Sequence, residues 1–191
     1  MILSRALVAP ACRRLFSHRS VSTLSSNPSI KAFPNAAPNS GYLLSYLNTI
    51  PPTSRLAIGA CTQLPPTPQE FTENHEFLSI LNDVLRRNAA QDPNLQSQAQ
   101  AFAGPGQGGA GGAGVGGHVH LSDLRNPPDY GRIAFPEDIL GSIEVDGHGK
   151  IIGKFEPSGT YRIVTNEGIL GLSEFLQAKL IERLEEEEKS D

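Results

Sequence analysis

Two segments of the chain have the hydrophobic periodicity of amphipathic helices, with apolar residues three and four positions apart on one face. The first stripe consists of Phe77, Leu78, Leu81, Val84 and Leu85. The second, near the end of the chain, consists of Phe175, Leu176, Leu180, Ile181 and Leu184. Asn74 or Thr72 is placed to cap the first helix and Ser173 the second, because short polar side chains satisfy the free N–H groups at a helix start.

A thinner helical stripe lies between these two segments. Asp92 and Pro93 form a favourable helix start, in which a capping side chain is followed by proline in the first turn. Three apolar residues then recur at helical spacing: Leu95, Ala99 and Phe102. We therefore predict a further helix here, and we interpret residues 42–103 as a mainly helical segment.

The region after residue 117 has the alternation of apolar and polar residues that is typical of β-strands. The first strand alternates Val119 and Leu121 with His118, His120 and Ser122. A hairpin is predicted around Asp146-Gly147-His148-Gly149, and a further short strand at Tyr161, Ile163 and Val164. Because the C-terminal helix must bury its stripe, we expect it to pack on a small antiparallel sheet of three to four strands. The predicted fold class is α+β, with residues 118–188 as its compact unit.

Two segments with few large apolar residues interrupt this arrangement. Residues 21–41 are rich in Ser, Asn and Pro, so we expect them to be disordered. Residues 104–117 are mostly glycine and are interpreted as a flexible linker. The linker contains the Gly-x-Gly-x-x-Gly spacing at residues 109–114, but a dinucleotide site needs a strand before the glycines and a helix after them. The predicted order is the reverse, so we predict no nucleotide cofactor.

Charge is distributed unevenly along the chain. Residues 1–69 contain six basic residues and no acidic residue, whereas residues 70–191 contain ten basic and twenty acidic residues. An Arg-rich, Ser-rich and acid-free beginning is typical of a mitochondrial transit peptide. A secretory signal would need an unbroken apolar stretch, which Arg5 and Pro10 interrupt. We therefore expect residues 1–20 to direct the chain to the mitochondrion, with the matrix as its destination, and to be removed there.

The composition also narrows the class of protein. No stretch approaches the roughly 18 consecutive apolar residues of a membrane-spanning helix, so we expect a soluble protein without a membrane span. Removal of the first 20 residues would leave Cys61 as the one cysteine, which permits neither an internal disulfide nor a thiolate metal site. The acidic balance of residues 70–191 disfavours direct nucleic-acid binding, because phosphates require a basic surface.

The charged loop between residues 123 and 138 is the strongest candidate for a binding site. It combines charges of both signs with stiffening prolines at positions 127, 128 and 136. Such a loop is able to hold Arg125, Asp129 and Arg132 in fixed positions for a protein partner or an anionic ligand. Alternatively, the same charges pair with one another on an ordered surface loop.

His118 and His120 are a second candidate. Residues two apart on a strand share one face about 7 Å apart, which allows joint metal ligation. A third ligand would come from Asp123 or His148. Two histidines without a cluster of acidic or sulfur ligands are more typical of a polar sheet face, so we predict no metal site.

These patterns favour a protein without catalytic activity. No Ser/His/Asp arrangement, pair of catalytic carboxylates or phosphate-binding lysine is apparent in the sequence. We predict a soluble mitochondrial accessory protein, a subunit or assembly factor that binds protein partners in a larger complex and carries no cofactor. The alternative is a small mitochondrial enzyme whose polar site combines the loop at 123–138 with His118 and His120.

Overall fold

The first half of the chain forms a five-stranded antiparallel sheet. The computed structural model describes residues 20–35, 41–103, 114–129 and 132–190, so the predicted transit peptide lies outside the described residues except for Ser20. The strands lie side by side in the order of the sequence. They are β1 (Ser22–Thr23), β2 (Lys31–Pro34), β3 (Tyr42–Ser45), β4 (Gly59–Cys61) and β5 (Phe71–Glu73). A 3₁₀ turn at Ser54–Leu56 lies between β3 and β4.

Our expectation of disorder across residues 21–41 is wrong where that segment is described. β1 pairs with β2, and β2 pairs with β3 along its whole length. The segment has few large apolar residues, but four of its residues enter the core: Leu24, Ile30, Ala32 and Phe33. A short strand needs only a few inward side chains to join a sheet, and the average composition of the segment does not reveal so few residues. The expectation of a mainly helical segment at 42–103 is corrected as far as residue 73, because three strands precede the first helix.

The three predicted helices are present, and each begins with a predicted cap. They are α1 (His75–Asn88), α2 (Pro93–Ala103) and α3 (Glu174–Ser190), with a 3₁₀ turn at Ala89–Gln91 between the first two. Asn74 and Asp92 each accept a hydrogen bond from the backbone N–H two residues further on, at 3.0 and 2.9 Å. Ser173 Oγ accepts from Leu176 N at 3.2 Å and donates to the buried Asp92 carboxylate at 2.8 Å. This hydrogen bond ties the start of α3 to the start of α2.

A three-stranded antiparallel sheet follows α2. It contains β6 (Gly117–Ser122), β7 (Ile139–Val145) and β8 (Glu156–Pro157), in that spatial order. The predicted turn after β7 is present, and Asp146 Oδ1 accepts hydrogen bonds there from the N–H groups of residues 148 and 150. Of the strand predicted at residues 161–164, only Val164 lies in a strand, since it begins β9 (Val164–Thr165), which pairs with β10 (Gly168–Ile169) in a separate hairpin. The fold is therefore α+β, and its larger, five-stranded sheet was not predicted.

α3 packs mainly against α1, which corrects our expectation that it would cover the three-stranded sheet. Leu176, Leu180 and Leu184 of α3 are buried, as are Phe77 and Leu81 of α1. An amphipathic helix needs an apolar surface of any kind, and the wide stripe of α1 supplies it. α2 packs against β6, and α1 also contacts β8.

Both halves of the chain share one hydrophobic core. It includes Leu24 and Ile30 of the first half together with Ile143 and Leu184 of the second. The predicted Gly-rich linker therefore does not separate two cores; its residues 104–113 lie outside the described residues, and its last residue begins β6. Within the described ranges, no helix is long and apolar enough to cross a bilayer.

Candidate functional site

The loop between β6 and β7 is closed at its base by backbone hydrogen bonds. Asp123 N donates to Asp138 O at 2.8 Å, so the two ends of the loop lie side by side. Leu124 N donates to Gly171 O at 2.8 Å, which joins the loop to the segment that leads into α3. At the far end, Arg132 N donates to the carbonyl of Asp129 at 2.9 Å, while residues 130–131 between them lie outside the described part.

Arg125 lies inside the base of this loop, with only 3% of its side chain exposed. Its Nε donates to Asp138 Oδ1 at 2.7 Å, and its Nη1 donates to the carbonyl of Ile163 at 2.8 Å. Its Nη2 donates to the carbonyls of Glu137 and Arg162, at 2.9 and 2.8 Å. A guanidinium has five N–H groups, and four hydrogen bonds within the chain engage most of them. Arg125 therefore holds the loop against the 162–163 segment.

Asp123 is the second carboxylate of this cluster and is fully buried. Its Oδ1 accepts from the backbone N–H groups of Arg125 and Gly171, both at 2.9 Å. Its Oδ2 accepts from the Tyr161 hydroxyl at 2.7 Å and lies 3.8 Å from Arg125 Nη1. Burial raises the pKa of Asp123, and the nearby guanidinium of Arg125 acts in the opposite direction.

The Tyr161 hydroxyl stays neutral in this environment. Burial raises its pKa well above the usual value, and the negative charge of Asp123 raises it further. The neutral phenol donates to Asp123, while its ring centroid lies 5.4 Å from the Arg125 guanidinium carbon, a cation–π distance. We call Asp123, Arg125, Asp138 and Tyr161 the Arg125 network.

The properties of the Arg125 network are those of an interaction that stabilises the fold. Buried charges persist only when they are paired and hydrogen-bonded, and here each carboxylate accepts from the arginine or its neighbours. The network connects three stretches that are far apart in sequence: the loop, the 161–163 segment and Gly171. It fixes the base of the loop and leaves the guanidinium largely engaged within the chain.

The outer side of the same loop has the opposite character. Seven large hydrophobic side chains are exposed in the described part of the chain, and three of them belong to this one loop. They are Leu124, Ile133 and Phe135, which are 44%, 72% and 64% exposed. The side chains of Asp129 and Arg132 are also exposed, and neither forms an ion pair with another described residue.

The structure places His118 and His120 on the outward face of β6, away from the Arg125 network. His118 is paired across the sheet with Glu144, and His120 with Ser142. The Nδ1 of His120 lies 2.8 Å from Ser142 Oγ, within hydrogen-bond distance. Among the residues that the structure describes, no hydrogen bond or ion pair joins either histidine to the predicted loop residues.

The described residues contain neither a metal-binding cluster nor an ionised thiol. In residues 20–35, 41–103, 114–129 and 132–190, no group of three His, Cys, Asp or Glu side chains is arranged to hold a metal ion. Asp123, considered above as a third ligand for the histidines, is instead engaged by Arg125 and Tyr161. Cys61 is buried, and burial together with the negative charge of Glu70 raises the pKa of its thiol to about 11. The thiol is therefore protonated at neutral pH.

Sequence reasoning placed Arg125 in a candidate site but missed Tyr161 as its partner. It also missed a groove of about 510 Å³ beside the loop, whose lining includes Pro68, Gln69, Glu137, Thr160 and Arg162. These residues come from three separate parts of the chain, so no local sequence motif predicts that they line one groove. The one available signal was the density of charge and proline between residues 123 and 138.

Comparison with protein-family models, with curated proteins and with solved structures finds no match to this chain.

Proposed function

We propose that this protein is a soluble, non-catalytic accessory protein of mitochondria, a subunit or assembly factor that binds a protein partner in a larger complex. The observation that carries the proposal is the contrast between the two sides of the β6–β7 loop. Its base is fixed by the Arg125 network, and its outer side exposes three large apolar residues. We call Leu124, Ile133 and Phe135 the docking residues.

Exposed apolar residues on a fixed loop favour binding for an energetic reason. Burying one large apolar side chain contributes about 1.5–3 kcal/mol, and aromatic residues are frequent among those that dominate interface energies. A loop whose base is already held in place loses less conformational entropy on association than a loop that is free at both ends. The Arg125 network supplies that restraint through hydrogen bonds of 2.7–2.9 Å.

The state of Arg125 favours binding over catalysis. Among the predicted loop residues it is the one positioned by the fold, yet its guanidinium donates four hydrogen bonds within the chain. A catalytic cation must be able to interact more strongly with the transition state than with its resting partners. The many internal partners of Arg125 leave little capacity for such a change.

Mitochondrial location is supported by the beginning of the chain. The first 69 residues contain six basic residues and no acidic one, which suits import driven by an inside-negative membrane potential. The matrix is the proposed destination.

The proposal is tested by native electrophoresis of gently solubilised mitochondria that contain the tagged full chain, with mass spectrometry of the proteins that migrate with it. We expect the chain in a large, reproducible assembly. The variant Ile133→Ser/Phe135→Ser should migrate as a free monomer. Val115→Ser/Ile152→Ser, which changes two exposed apolar residues outside the loop, should remain in the assembly. Migration of the unmodified chain as a free monomer would overturn the proposal.

A further inference from the structure

β6 is the outer strand of the three-stranded sheet and pairs on one side only. It pairs with β7, and no other strand in the described part of the chain pairs with it. The other outer strands described are short: β1, β8, β9 and β10 have two residues each and β5 has three. β6 has six residues and contains neither lysine nor proline, which commonly protect an exposed strand edge. We call the side of β6 that faces away from β7 the free edge.

The hydrogen bonds of β7 show which backbone groups of β6 point to the free edge. Glu144 O accepts from Ile152 N at 3.0 Å, so this carbonyl faces the side of β7 away from β6. Successive carbonyls of a strand point to opposite sides, so the carbonyl of Ile143 faces β6. Val119 lies directly opposite Ile143, and its N–H and C=O therefore point to β7.

The N–H and C=O groups of the two neighbouring residues, His118 and His120, consequently point to the free edge. Across the described ranges, no hydrogen bond engages the backbone of either residue. Beyond the strand, Asp123 N donates towards β7, and the next N–H, that of Leu124, donates to Gly171 O on the opposite side. His118 is exposed and His120 is half-buried, and buried backbone groups without a partner are rare. The groups at the free edge are therefore accessible to a partner.

The inward side of β6 is packed, which holds the strand in place before a partner binds. Val119 and Leu121 are buried there. A Cβ atom at Gly117, which would point to the same face as Val119, would meet the ring of Phe102 at 2.8 Å. This part of α2 therefore lies under the inward face of β6. A strand that is already ordered loses little conformational entropy when another strand pairs with it.

We propose that the free edge of β6 binds an extended segment of the partner protein as an additional β-strand. Main-chain hydrogen bonds to His118 and His120 supply affinity in this mode of recognition, and alternate side chains supply specificity. The side chains of the segment that lie beside Val119 and Leu121 would be apolar, and those beside the histidines polar. Leu124, a docking residue, lies two residues beyond β6, so the added strand would continue the docking surface. The inference rests on the proposed function and adds how the partner binds.

A second copy of this chain fits the free edge less well than a separate segment does. Antiparallel pairing of two β6 strands about His120 would bring Gly116 of the second copy opposite Leu124. Gly171 already lies there, because its carbonyl accepts from Leu124 N at 2.8 Å. A segment of a different protein can end before this point.

Hydrogen exchange of the tagged full chain tests the inference without any substitution. The chain is compared alone and within the assembly purified from mitochondria, with mass spectrometry and electron-transfer fragmentation to resolve single amides. In the free chain, His118 and His120 should exchange at least about tenfold faster than Val119 and Leu121, whose N–H groups point to β7. In the assembly, all four should be protected. Slow exchange of the two histidines in the free chain, or no added protection in the assembly, would overturn the inference.

Two substitutions at one position separate the backbone from the imidazole. His120→Pro removes the N–H at the free edge, where proline is tolerated in a strand, and His120→Thr removes the same ring but keeps the N–H. In native electrophoresis, His120→Pro should lower the fraction of chain in the assembly about tenfold, because a carbonyl of the partner loses its donor. His120→Thr should lower it less than about twofold.

Equal effects of the two substitutions would overturn the inference, as would an assembly that contains only copies of this chain. Circular dichroism shows whether His120→Pro folds. His118→Pro removes the other N–H at the free edge and provides the same test at a second position.

The outcomes distinguish this inference from the proposed function. If Ile133→Ser/Phe135→Ser leaves the assembly while His120→Pro stays in it, the proposed function stands and the inference fails. If His120→Pro leaves the assembly while Ile133→Ser/Phe135→Ser stays, the inference stands and the docking residues do not serve that assembly.

Discussion

The Arg125 network and the histidine face of β6 contain similar kinds of residue in very different surroundings. Asp123, Arg125 and Asp138 are at most 3% exposed as side chains and are joined by several hydrogen bonds. His118 is exposed, and His120 is half-buried with one side-chain partner. In the sequence, Arg125 of the network and both histidines were candidate binding residues. The difference in burial determines what each group of residues does, because electrostatic interactions strengthen as water is excluded. The network therefore stabilises the fold, and the histidine face remains a solvated surface.

The largest expected effect comes from breaking the Arg125 network. Arg125→Met should lower the free energy of unfolding by about 3–5 kcal/mol, because Asp123 and Asp138 would keep their buried charges without a cation. Urea denaturation followed by circular dichroism measures this change. Arg132→Met, at an exposed position, is the control and should stay within about 0.5 kcal/mol of the unmodified protein. Similar effects for both arginines would contradict the claim that Arg125 stabilises the fold through its buried partners.

A smaller loss is expected from the phenol of the network. Tyr161→Phe removes the donor at 2.7 Å from Asp123 Oδ2 and keeps the ring, so unfolding should become easier by about 1–3 kcal/mol. Tyr42→Phe, which removes a hydroxyl from a half-buried tyrosine of β3, is the matched control and should have less effect in the same denaturation experiment. Equal effects would mean that the hydrogen bond from Tyr161 to Asp123 adds nothing to the free energy of unfolding beyond the effect of removing any half-buried hydroxyl.

The pH dependence of stability tests the electrostatics of Asp123 itself. Burial raises its pKa above the usual 3.8, so the folded protein binds this proton more readily than the unfolded chain does. The stabilisation from this group is complete below the unfolded pKa and is lost as the pH rises through the folded pKa. We therefore expect the stability advantage of the unmodified protein over Asp123→Asn to decrease as the pH is raised from about 4 towards 7. An advantage that grows over this range would mean that Arg125 and the hydrogen bonds outweigh burial.

The smallest effect is expected on the histidine face. Ser142→Ala removes the partner of His120 Nδ1, but both groups remain accessible to water. The free energy of unfolding should change by no more than about 0.5 kcal/mol in urea denaturation. A loss comparable to that of Tyr161→Phe would show that this pair is also a core interaction.

The parts of the fold that sequence predicted are those with local causes. The helix caps at Asn74, Asp92 and Ser173 depend on residues within one turn, and all three are present. The five-stranded sheet was missed because its strands are two to four residues long and too short to show clear alternation.

The candidate site, too, was predictable from the sequence only where the causes are local. The importance of Arg125 was visible in the loop sequence, but its burial was not. Its partners include Tyr161 and the carbonyl of Ile163, which lie 36 to 38 residues further along the chain and approach it only when the core forms. Long-range partners of this kind leave no periodic signal in the sequence.

Site-specific photocrosslinking tests the central claim most directly. A photoreactive benzoylphenylalanine at position 135 replaces a docking residue, and the same group at position 152 replaces an exposed isoleucine outside the loop. In intact mitochondria, we predict that the group at 135 captures one defined polypeptide and that the group at 152 does not. Capture of the same products from both positions, or of none from position 135, would contradict the claim that this loop is a docking surface.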